Sequence, residues 1–526
     1  MSDEQQNDEA AQQPENELMR VRREKLARIE ALGWPSHPNR ANTNTTVADV
    51  VAKYSPKTAE ELDASPERVA IAGRIMAIRD FGKASFLVLS ELSSQVQVYA
   101  KKDLLSEREW SLKENLDVGD WISVEGPMMR TKKGELSVKA EKIDFLVKAL
   151  RPLPEKWHGL TDMETRYRQR YVDLIVNDDV KETFRTRARM VSYIRNYLDS
   201  KGFIEVETPM MQPIAGGAAA RPFVTYHNAL GMQLFMRIAP ELYLKRLIVG
   251  GLQRVYEINR NFRNEGISLQ HNPEFTMLEF YWAYADYEDL IRLTEELLGS
   301  LILEIRGTTT IPWRGADISF ARPFARFTMK EAVVHFAKEK HGATIDPADL
   351  DDQAKLVELV KQFGEPRPTR ADGTEGPEGE KAPAIEEMNR GKLLAELFEA
   401  VCEKHIVNPT FITDFPVEVS PLSKQRPDDP RYVERFELYV NGMEVANAFS
   451  ELNDPDEQAR RFAQQLEERE KGDDEAFQTD DDYVCALEYG MPPTGGEGIG
   501  IDRLAMILTD SSSIRDVILF PLMRPR

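Results

Sequence analysis

The feature that most constrains the fold is a change of pattern between Val69 and Val147. Five short runs in this interval alternate apolar and polar residues, and turns rich in Gly and Asp separate them: VAIAGRIMAI, ASFLVLSEL, QVQVYA, WISVEGPMMR and ELSVKAEKIDFLV. Alternation with a period of two is typical of half-buried strands. Five such strands within about eighty residues fit a small β-barrel such as an OB-fold. A generic β domain would show the same pattern, and alternation alone does not separate the two.

The barrel occupies only part of the 526 residues, a length that predicts roughly two to four domains. Residues 1–16 are acidic, without aromatic or basic residues, and predict a disordered tail. A helix is expected from about Glu17 to Leu32, so residues 17–150 form one unit of helix and barrel. The proline-punctuated run that follows predicts a linker at 151–165. Residues 166–526 then form a larger α+β domain, in which the Gly-, Pro- and Glu-rich stretch 364–387 predicts a mobile insertion.

Charge and composition narrow the functional classes. The net charge of −21 argues against general affinity for nucleic acids, which requires surplus Lys and Arg. It does not exclude a local basic face on the first helix, where residues 17–31 contain five cations. These cations would equally fit a helix face that is simply exposed to solvent. No apolar run is long enough to span a membrane. The N-terminus lacks the features of a signal peptide, and Cys402 and Cys485 form no disulfide framework, so we expect a cytoplasmic protein.

The stretch FRNEGISLQHNPEFTMLEF (262–280) combines charges that a core does not need with aromatics that a surface loop does not need. Strand-like runs flank a middle rich in turn residues, which predicts two strands joined by a long loop. Arg263 can meet a phosphate with a fixed fork of donors, and His271 can reach a second phosphate. Phe275 offers a flat face for a base. The stretch therefore indicates a nucleotide site, although a surface hairpin with ion pairs would also account for it.

The glycine-rich run GGEGIGIDRLAMILT (495–509) opens an apolar helix with Asp502 and Arg503. Its glycines permit close approach of the backbone. The run is not a GxGxxG fingerprint, and the chain contains no GxxxxGK[ST] loop, so neither a Rossmann nor a P-loop site explains a bound nucleotide. Arg503 could close over the nucleotide opposite Phe275. The helix that precedes these motifs is expected at about Val180–Lys201, and FIEVETPMM after it predicts a strand ended by Pro209.

The run RFELYVNGMEVANAFSELND (435–454) contains Asn441–Gly442, a strong signal for a two-residue hairpin turn. With that turn, Glu437 faces Ala446 and lies diagonally next to Glu444 on one face. Two close carboxylates repel each other unless a cation lies between them, and Mg²⁺ takes one or two carboxylates plus substrate phosphates. A solvated pair of glutamates is the alternative. Strict alternation turns Asn447, Phe449 and Glu451 to the other face, and a bulge near 446–448 would bring them back.

At this point the chain resembles bacterial-type class II lysyl-tRNA synthetases along nearly its whole length. The helix and strand ending in GFIEVETPMM resemble the first class II motif, the 262–287 region resembles the second, and GIGIDRLAMILT resembles the third. The phrases LRPLP, HGLTD, RYRQRYVDL, GGAAARPF, APELYLKRL, FSELND and DVILFP are also similar to that family. The KMSKS signature of class I enzymes is absent.

The resemblance implies an N-terminal OB-fold that reads the anticodon, an antiparallel catalytic sheet flanked by helices, and a homodimer built on the first motif. It implies activation of L-lysine by ATP and transfer of lysine to the 3′ end of tRNA(Lys). The catalytic set carried over by motif position is Arg263, Glu265 and Arg503. The implied ATP contacts are Arg263 at the α-phosphate, Phe275 and Arg503 around adenine, Glu265, His271 and Asn272 along the nucleotide, and Glu437 and Glu444 through Mg²⁺. Positions that the family uses for uridine-rich anticodon bases are matched by Phe86, Gln97 and Glu135.

The choice of amino-acid substrate follows from the acidic residues at the positions that form the amino-acid pocket in the family. A lysine ammonium should be met by carboxylates, and the family pocket positions Glu241, Glu279 and Glu451 are all acidic. Tyr281, Asn447 and Phe449 would shape this pocket, and Gly217 would leave space near the amino group. An aspartyl- or asparaginyl-type enzyme is the second interpretation, and such an enzyme would require Arg or Lys in this pocket. A paralogue kept for binding or regulation is the third, and it should lack a motif arginine or metal carboxylate. Two departures are Ala446 and Ala448, where related enzymes often have glycine.

Overall fold

The computed structural model describes residues 17–154, 160–218, 220–364, 385–470 and 479–525. The chain divides into two compact units between Lys181 and Glu182. The tail predicted at 1–16 lies outside the described residues, as do residues 155–159 of the predicted linker and residues 365–384 of the predicted insertion. Among the described residues, no helix is both long and apolar enough to cross a membrane.

The first unit is a barrel with short helices around it. Its helices are α1 (Glu17–Ala31), α2 (Val47–Tyr54), α3 (Ala59–Ala64), α4 (Glu107–Glu114), α5 (Met163–Arg168) and α6 (Arg170–Val176). Its strands are β1 (Arg68–Asp80), β2 (Ala84–Glu91), β3 (Ser94–Lys101), β4 (Trp121–Arg130), β5 (Leu136–Lys139) and β6 (Lys142–Val147). The sheet order is β1-β2-β3-β5-β4-β6, and β1 also pairs with β4, which closes the ring. The OB-fold predicted from alternation is confirmed, with α4 between β3 and β4 as an addition.

The fifth predicted strand is in fact two strands. β5 pairs with β3 and β4, then the chain turns at Ala140–Glu141 and β6 pairs with β4 alone. The Ala140 N–H donates to the Tyr99 carbonyl and the Glu141 N–H to the Glu125 carbonyl, so the hydrogen bonding changes partner at this point. A Cβ on Gly126 would lie 1.9 Å from the Lys139 carbonyl oxygen, so only glycine permits this close crossing.

Helix α1 is attached to the barrel by two of its five cations. Arg22 donates to the carbonyls of Ala149 and Val118, and Lys25 lies 2.6 Å from a carboxylate oxygen of Asp117. The cations of this helix therefore do not form a simple solvated face, because part of the charge anchors the helix.

The second unit is built on a large sheet, and α7 (Asp178–Ser200) leads into it. Its other helices are α8 (Glu241–Val249), α9 (Tyr287–Arg306), α10 (Met329–His341), α11 (Gln353–Phe363), α12 (Arg390–Val401), α13 (Pro455–Glu470), α14 (Asp481–Glu488), α15 (Ile501–Leu508) and α16 (Ile514–Val517). Its strands are β7 (Ile204–Glu205), β8 (Met211–Gln212), β9 (Val224–His227), β10 (Met232–Met236), β11 (Arg254–Phe262), β12 (Glu274–Ala283), β13 (Thr310–Trp313), β14 (Ala316–Ser319), β15 (Ala325–Thr328), β16 (Thr410–Pro416), β17 (Tyr432–Val440), β18 (Met443–Ser450) and β19 (Thr494–Gly500).

Eight of these strands form one sheet in the order β15-β16-β17-β18-β19-β12-β11-β7. The six central strands are antiparallel, and only the two edge pairs are parallel. Alternation gives the sheet two faces. Leu278 and Phe280 of β12 join a core that also contains residues of α7, α9 and α15. Glu279 and Tyr281, between and after them, line a cavity on the opposite face.

Two local predictions near this sheet need correction. The run FIEVETPMM does not form one strand, since only Ile204–Glu205 and Met211–Gln212 are extended pairs, in different sheets. The hairpin turn at Asn441–Gly442 is confirmed, with both residues at positive φ. Glu437, however, pairs with Asn447 and not with Ala446, because a bulge between Leu438 and Tyr439 adds one residue to β18.

Candidate functional site

One cavity of about 380 Å³ lies on the open face of the large sheet. Its walls come from β12, β17, β18 and β19, from the loop between β11 and β12, from residues 419–423, and from the start of α8 and α15. The cavity brings together every residue that the sequence predicted for nucleotide, metal and amino acid: Gly217, Glu241, Arg263, Glu265, His271, Asn272, Phe275, Glu279, Tyr281, Glu437, Glu444, Asn447, Phe449, Glu451 and Arg503.

Arg263 supplies a guanidinium to the cavity. It follows β11, and its backbone N–H donates to the Pro273 carbonyl across the hairpin. Its guanidinium carbon lies 5.0 Å from the centre of the Phe275 ring. Among the described residues no carboxylate forms an ion pair with it, and its buried Nε has no hydrogen-bond partner. Burial lowers the pKa of this guanidinium, although arginine remains charged. A buried fork of donors facing a cavity is a site for an anion.

The loop between β11 and β12 adds polar groups beside Arg263. His271 Nδ1 lies 2.8 Å from the Ser268 hydroxyl, and His271 Nε2 lies 3.4 Å from Nη2 of Arg503. Burial and then the Arg503 charge lower the pKa of His271, so its ring is neutral at pH 7. Asn272 donates to the Glu274 carbonyl, while its own buried side-chain oxygen has no partner among the described residues. These groups can therefore offer hydrogen bonds to a nucleotide without adding charge.

The two predicted metal carboxylates lie on the same wall. Glu437 accepts from Arg435 and from the Tyr439 hydroxyl, each by one carboxylate oxygen. Glu444 accepts from Arg503 Nη1 at 3.0 Å. Burial first, and then the Glu444 charge, raise the pKa of Glu437, while Arg435 opposes the rise. Both groups are hard oxygen donors that share one negative region, which is the donor chemistry that a divalent cation with phosphate ligands requires.

Two further acids lie close to this pair. Glu399 and Glu403, from α12 and the turn after it, each have a pKa raised to about 7 by burial and by neighbouring carboxylates that include Glu437 and Glu444. The wall therefore carries more negative potential than the two predicted carboxylates alone provide. Among the described residues, no cluster of three His, Cys, Asp or Glu side chains has the geometry to hold a metal by itself. A cation here would depend on ligands from a substrate.

Glu279 of β12 is a buried carboxyl that lines the same cavity. It is 5% exposed and its nearest donor is the Asn261 amide at 3.5 Å. Burial, followed by the charge of Glu241, raises its pKa to about 8, and Arg263 opposes this rise. A carboxyl held neutral by burial at pH 7 becomes ionised when a cation comes next to it. Glu279 is therefore suited to receive an ammonium group.

Glu241 and Glu451 form a second buried acidic pair, and they already share a cation. Lys245, one turn after Glu241 on α8, donates to Glu241 Oε1 at 2.6 Å and contacts a carboxylate oxygen of Glu451. All three side chains are buried. Glu451 Oε1 has no hydrogen-bond partner among the described residues. The predicted acidic pocket thus contains an internal ammonium that sequence reasoning did not identify.

Two glycines make room for this acidic end. A Cβ on Gly496 would lie 2.0 Å from Glu451 Oε1 and 2.5 Å from the Tyr281 ring, so any larger residue would displace both. Gly217 has φ +87°, a conformation that favours glycine, and a Cβ there would lie 3.1 Å from Cβ of Glu241. The role of Gly217 in leaving space near the amino group of a substrate stays a prediction. Gly496 belongs to the glycine-rich run at 495–509, for which the sequence predicted close approach of the backbone.

The barrel carries a separate candidate surface on β2, β3 and the turn before β5. Phe86 lies opposite Tyr99 with ring centres 5.1 Å apart, and Phe81, which is 68% exposed, meets Phe86 edge-on at 5.9 Å. Gln97 donates to the Ser137 hydroxyl, and Glu135 is exposed at the start of the neighbouring strand. Three aromatic rings beside polar side chains make a platform on which bases can stack.

The sequence predicted no role for Lys245, which contacts two cavity carboxylates, or for Arg435, which lines the cavity. Glu241 and Lys245 are spaced i, i+4 within the quoted phrase APELYLKRL, the spacing at which opposite charges meet on a helix. Arg435, which binds Glu437 and Asn447, had no comparable signal. Asp502 accepts from the Thr276 N–H at 2.6 Å and pairs with Arg187, and so ties α15 to β12.

An antiparallel sheet with this cavity, together with an OB-fold barrel, defines a class II tRNA synthetase. The family described as tRNA synthetases class II (D, K and N) matches residues 162–524, and the family described as OB-fold nucleic acid binding domain matches residues 69–146. The chain is 51% identical to a protein named Lysine--tRNA ligase from Thioalkalivibrio sulfidiphilus, over 98% of this chain and 99% of the relative.

Proteins of the same name from Carboxydothermus hydrogenoformans and Photorhabdus laumondii are 51% and 49% identical, over 97% and 100% of this chain and 99% and 100% of their own length. The chain therefore belongs to the class II tRNA synthetases, and within them to the lysine--tRNA ligase family.

Proposed function

We propose that the chain activates L-lysine with ATP, forming lysyl-adenylate and pyrophosphate, and then transfers lysine to the 3′ end of tRNA(Lys). The observation that carries this proposal is the distribution of charge in one cavity. Arg263, which forms no ion pair among the described residues, lines the same cavity as three buried carboxyls, Glu241, Glu279 and Glu451. Such a cavity suits a substrate pair that is anionic at one end and cationic at the other.

Activation requires attack by the lysine carboxylate on the α-phosphorus of ATP, with pyrophosphate as the leaving group. The reaction depends on charge neutralisation and in-line positioning more than on a general acid or base. Arg263 is the group proposed to neutralise the α-phosphate as charge develops. Phe275 and Arg503 would hold the adenine, and Glu265, His271 and Asn272 would bind the rest of the nucleotide. These roles are carried over by motif position, and the shared cavity supports them.

Glu437 and Glu444 are the residues proposed to hold Mg²⁺ together with ATP phosphates. Their shared wall and oxygen donors fit this ion, and Arg435 and Arg503 would then have to exchange part of their pairing. Bound Mg²⁺ would neutralise phosphate charge during the displacement. This chain's own contribution is to present two carboxylates from neighbouring strands on one side of the bulged hairpin.

Selectivity for lysine is proposed to come from Glu241, Glu279 and Glu451. Placing a carboxylate substrate such as aspartate against these groups would bury like charges together, which costs several kcal/mol. Tyr281, Asn447 and Phe449 would complete the walls. No described residue provides a free cation at this end, because Lys245 is already engaged by two carboxylates. The aspartyl- and asparaginyl-type interpretations are therefore disfavoured.

The barrel is proposed to bind the anticodon of tRNA(Lys), with Phe86, Gln97 and Glu135 as contacts. The platform formed by Phe81, Phe86 and Tyr99 supports this role, since base stacking contributes about 1–3 kcal/mol per base.

We further propose a homodimer and a cytoplasmic location. The dimer is supported by an exposed apolar group on β7 to β10 and the loops near them: Ile204, Met210, Met211, Val224, Tyr226, Leu230 and Met232, each 37–69% exposed. The location is supported by the free thiols of Cys402 and Cys485.

The proposal is tested by aminoacylation of total tRNA with ATP, Mg²⁺ and one labelled amino acid at a time. Lysine should be attached, and the charged tRNA should hybridise to a probe for tRNA(Lys). Charging with aspartate or asparagine in preference to lysine would contradict the assignment of the acidic pocket.

A further inference from the structure

Lys245 is a buried cation at the acidic end of the cavity, and the roles proposed above do not use it. Its side chain is 0% exposed. Nζ lies 2.6 Å from Glu241 Oε1 and also contacts a carboxylate oxygen of Glu451. The ammonium lies 5.5 Å from the ring centre of Phe449 and 5.9 Å from that of Tyr483, so aromatic rings close the space around it. Removing a lysine ammonium from water in this way costs desolvation free energy, and a stabilising interaction must offset that cost.

We propose that Lys245 is a positioning residue that keeps Glu241 and Glu451 ionised and oriented toward the cavity, so that they can receive the substrate's ammonium groups at neutral pH. The inference rests on the proposed function, because it concerns how the same pocket is prepared for lysine. Lys245 does not line the cavity itself, and it acts through the two carboxylates that do.

Electrostatics supports this role. Burial raises the pKa of both carboxyls above the ordinary value, well above it for Glu451, and the Lys245 ammonium is the largest influence that opposes the rise in each case. Burial alone would lower the pKa of Lys245, but the charges of Glu241 and then Glu451 outweigh burial and raise it. The internal lysine therefore remains charged throughout the neutral range. The titratable or charged groups that face this cluster from the surrounding elements are Glu279, Tyr281, Arg435 and Tyr483.

The charge balance gives the proposal a quantitative form. Three carboxyls and one ammonium leave two negative charges when every group is ionised, and free lysine carries two ammonium groups. Glu279, with its pKa raised to about 8, holds a proton at pH 7 and would release it on binding. If Lys245 holds Glu241 and Glu451 ionised, binding of lysine releases about one proton at pH 7 and not two or more.

The test uses Lys245→Met in the full-length protein, which removes the charge and keeps most of the side-chain volume. The dissociation constant for lysine is measured by calorimetry from pH 6.5 to 8.5 and divided by the wild-type value at each pH, so that ionisation of the ligand cancels. We expect the dissociation constant of the variant to be at least about tenfold that of the wild type at pH 6.5. This ratio should decrease by a factor of at least about three between pH 6.5 and pH 8.5, because the carboxyls of the variant must lose protons before they bind the ammonium groups of lysine. Tyr483→Phe is the matched control, since it removes a neighbouring hydroxyl without changing charge, and its ratio should not vary with pH.

A ratio for Lys245→Met that is the same at every pH would overturn the proposal, because a purely structural role weakens binding independently of protonation. Lys245→Gln, which removes the charge but keeps donor groups, should show the same slope and replaces the first variant if that one does not fold. Proton release by the wild-type protein, measured in buffers of different ionisation enthalpy, decides the matter independently: two or more protons at pH 7 would also overturn it. A wild-type protein that neither binds nor activates lysine would instead refute the proposed function.

Discussion

Replacement of Arg263 by methionine tests the phosphate end of the cavity. Methionine keeps an unbranched stem against Phe275 and removes the charge. The guanidinium has no carboxylate partner among the described residues and its Nε has no acceptor, so its donors are available to an oxyanion. Loss of one preorganised contact of this kind costs about 3 kcal/mol in the transition state, which corresponds to roughly a hundredfold in rate. We therefore expect lysine-dependent pyrophosphate exchange to fall at least about a hundredfold, with little change in lysine affinity.

The same structure predicts that Arg263→Met does not reduce stability. A partly buried charge that forms no ion pair costs free energy, so its removal should leave the melting temperature equal or higher. Arg260→Met is the matched control, because Arg260 lies on the same hairpin but is exposed and pairs with Glu274 at 3.6 Å. It should leave exchange unchanged. Exchange by Arg263→Met within about threefold of wild type, with ATP saturating, would refute the assigned role.

Three further predictions concern the pocket and the barrel. The affinity for lysine should increase about fivefold between pH 7 and pH 8 and then level off, because Glu279 has a pKa of about 8 and must lose its proton. In Glu279→Gln, calorimetry should show no such increase in affinity. Glu451→Gln should weaken lysine binding at least about tenfold, or about 1.4 kcal/mol, while a neutral analogue of similar length loses much less; equal losses for both ligands would mean that the change acts on packing around Lys245. Phe86→Ala should lower tRNA charging by about tenfold or more and leave exchange without tRNA intact; equal losses in both assays would show that Phe86 only supports the barrel.

The barrel strands and the hairpin turn of the large sheet were predictable because the sequence patterns that indicate them are local. Alternation identified the barrel strands, and Asn441–Gly442 fixed a turn whose two residues both adopt positive φ. The bulge in β18 was not predictable from alternation, since one added residue reverses the face of everything beyond it. In a regular strand Glu444 and Asn447 would point to opposite sides. In the structure both line the cavity.

The site residues were found through motif position, and their pairing could not be read from the sequence. Whether a carboxylate in the pocket is free or already paired depends on which residue a distant helix brings to it. Glu451, just after β18, meets Lys245 because α8 packs against β11 and β12 of the same sheet, and the two residues are more than two hundred positions apart. The predicted roles of the site residues and the predicted domain boundaries remain predictions.

The central claim is that this cavity activates lysine, and pyrophosphate exchange against all twenty amino acids in the absence of tRNA tests it most directly. The assay isolates adenylate formation from anticodon binding, so it reports on the charge distribution of the cavity alone. We predict strong exchange with lysine and background exchange with aspartate and asparagine. Exchange that is strongest with aspartate or asparagine, or equal for lysine and a neutral amino acid of similar length, would contradict the account.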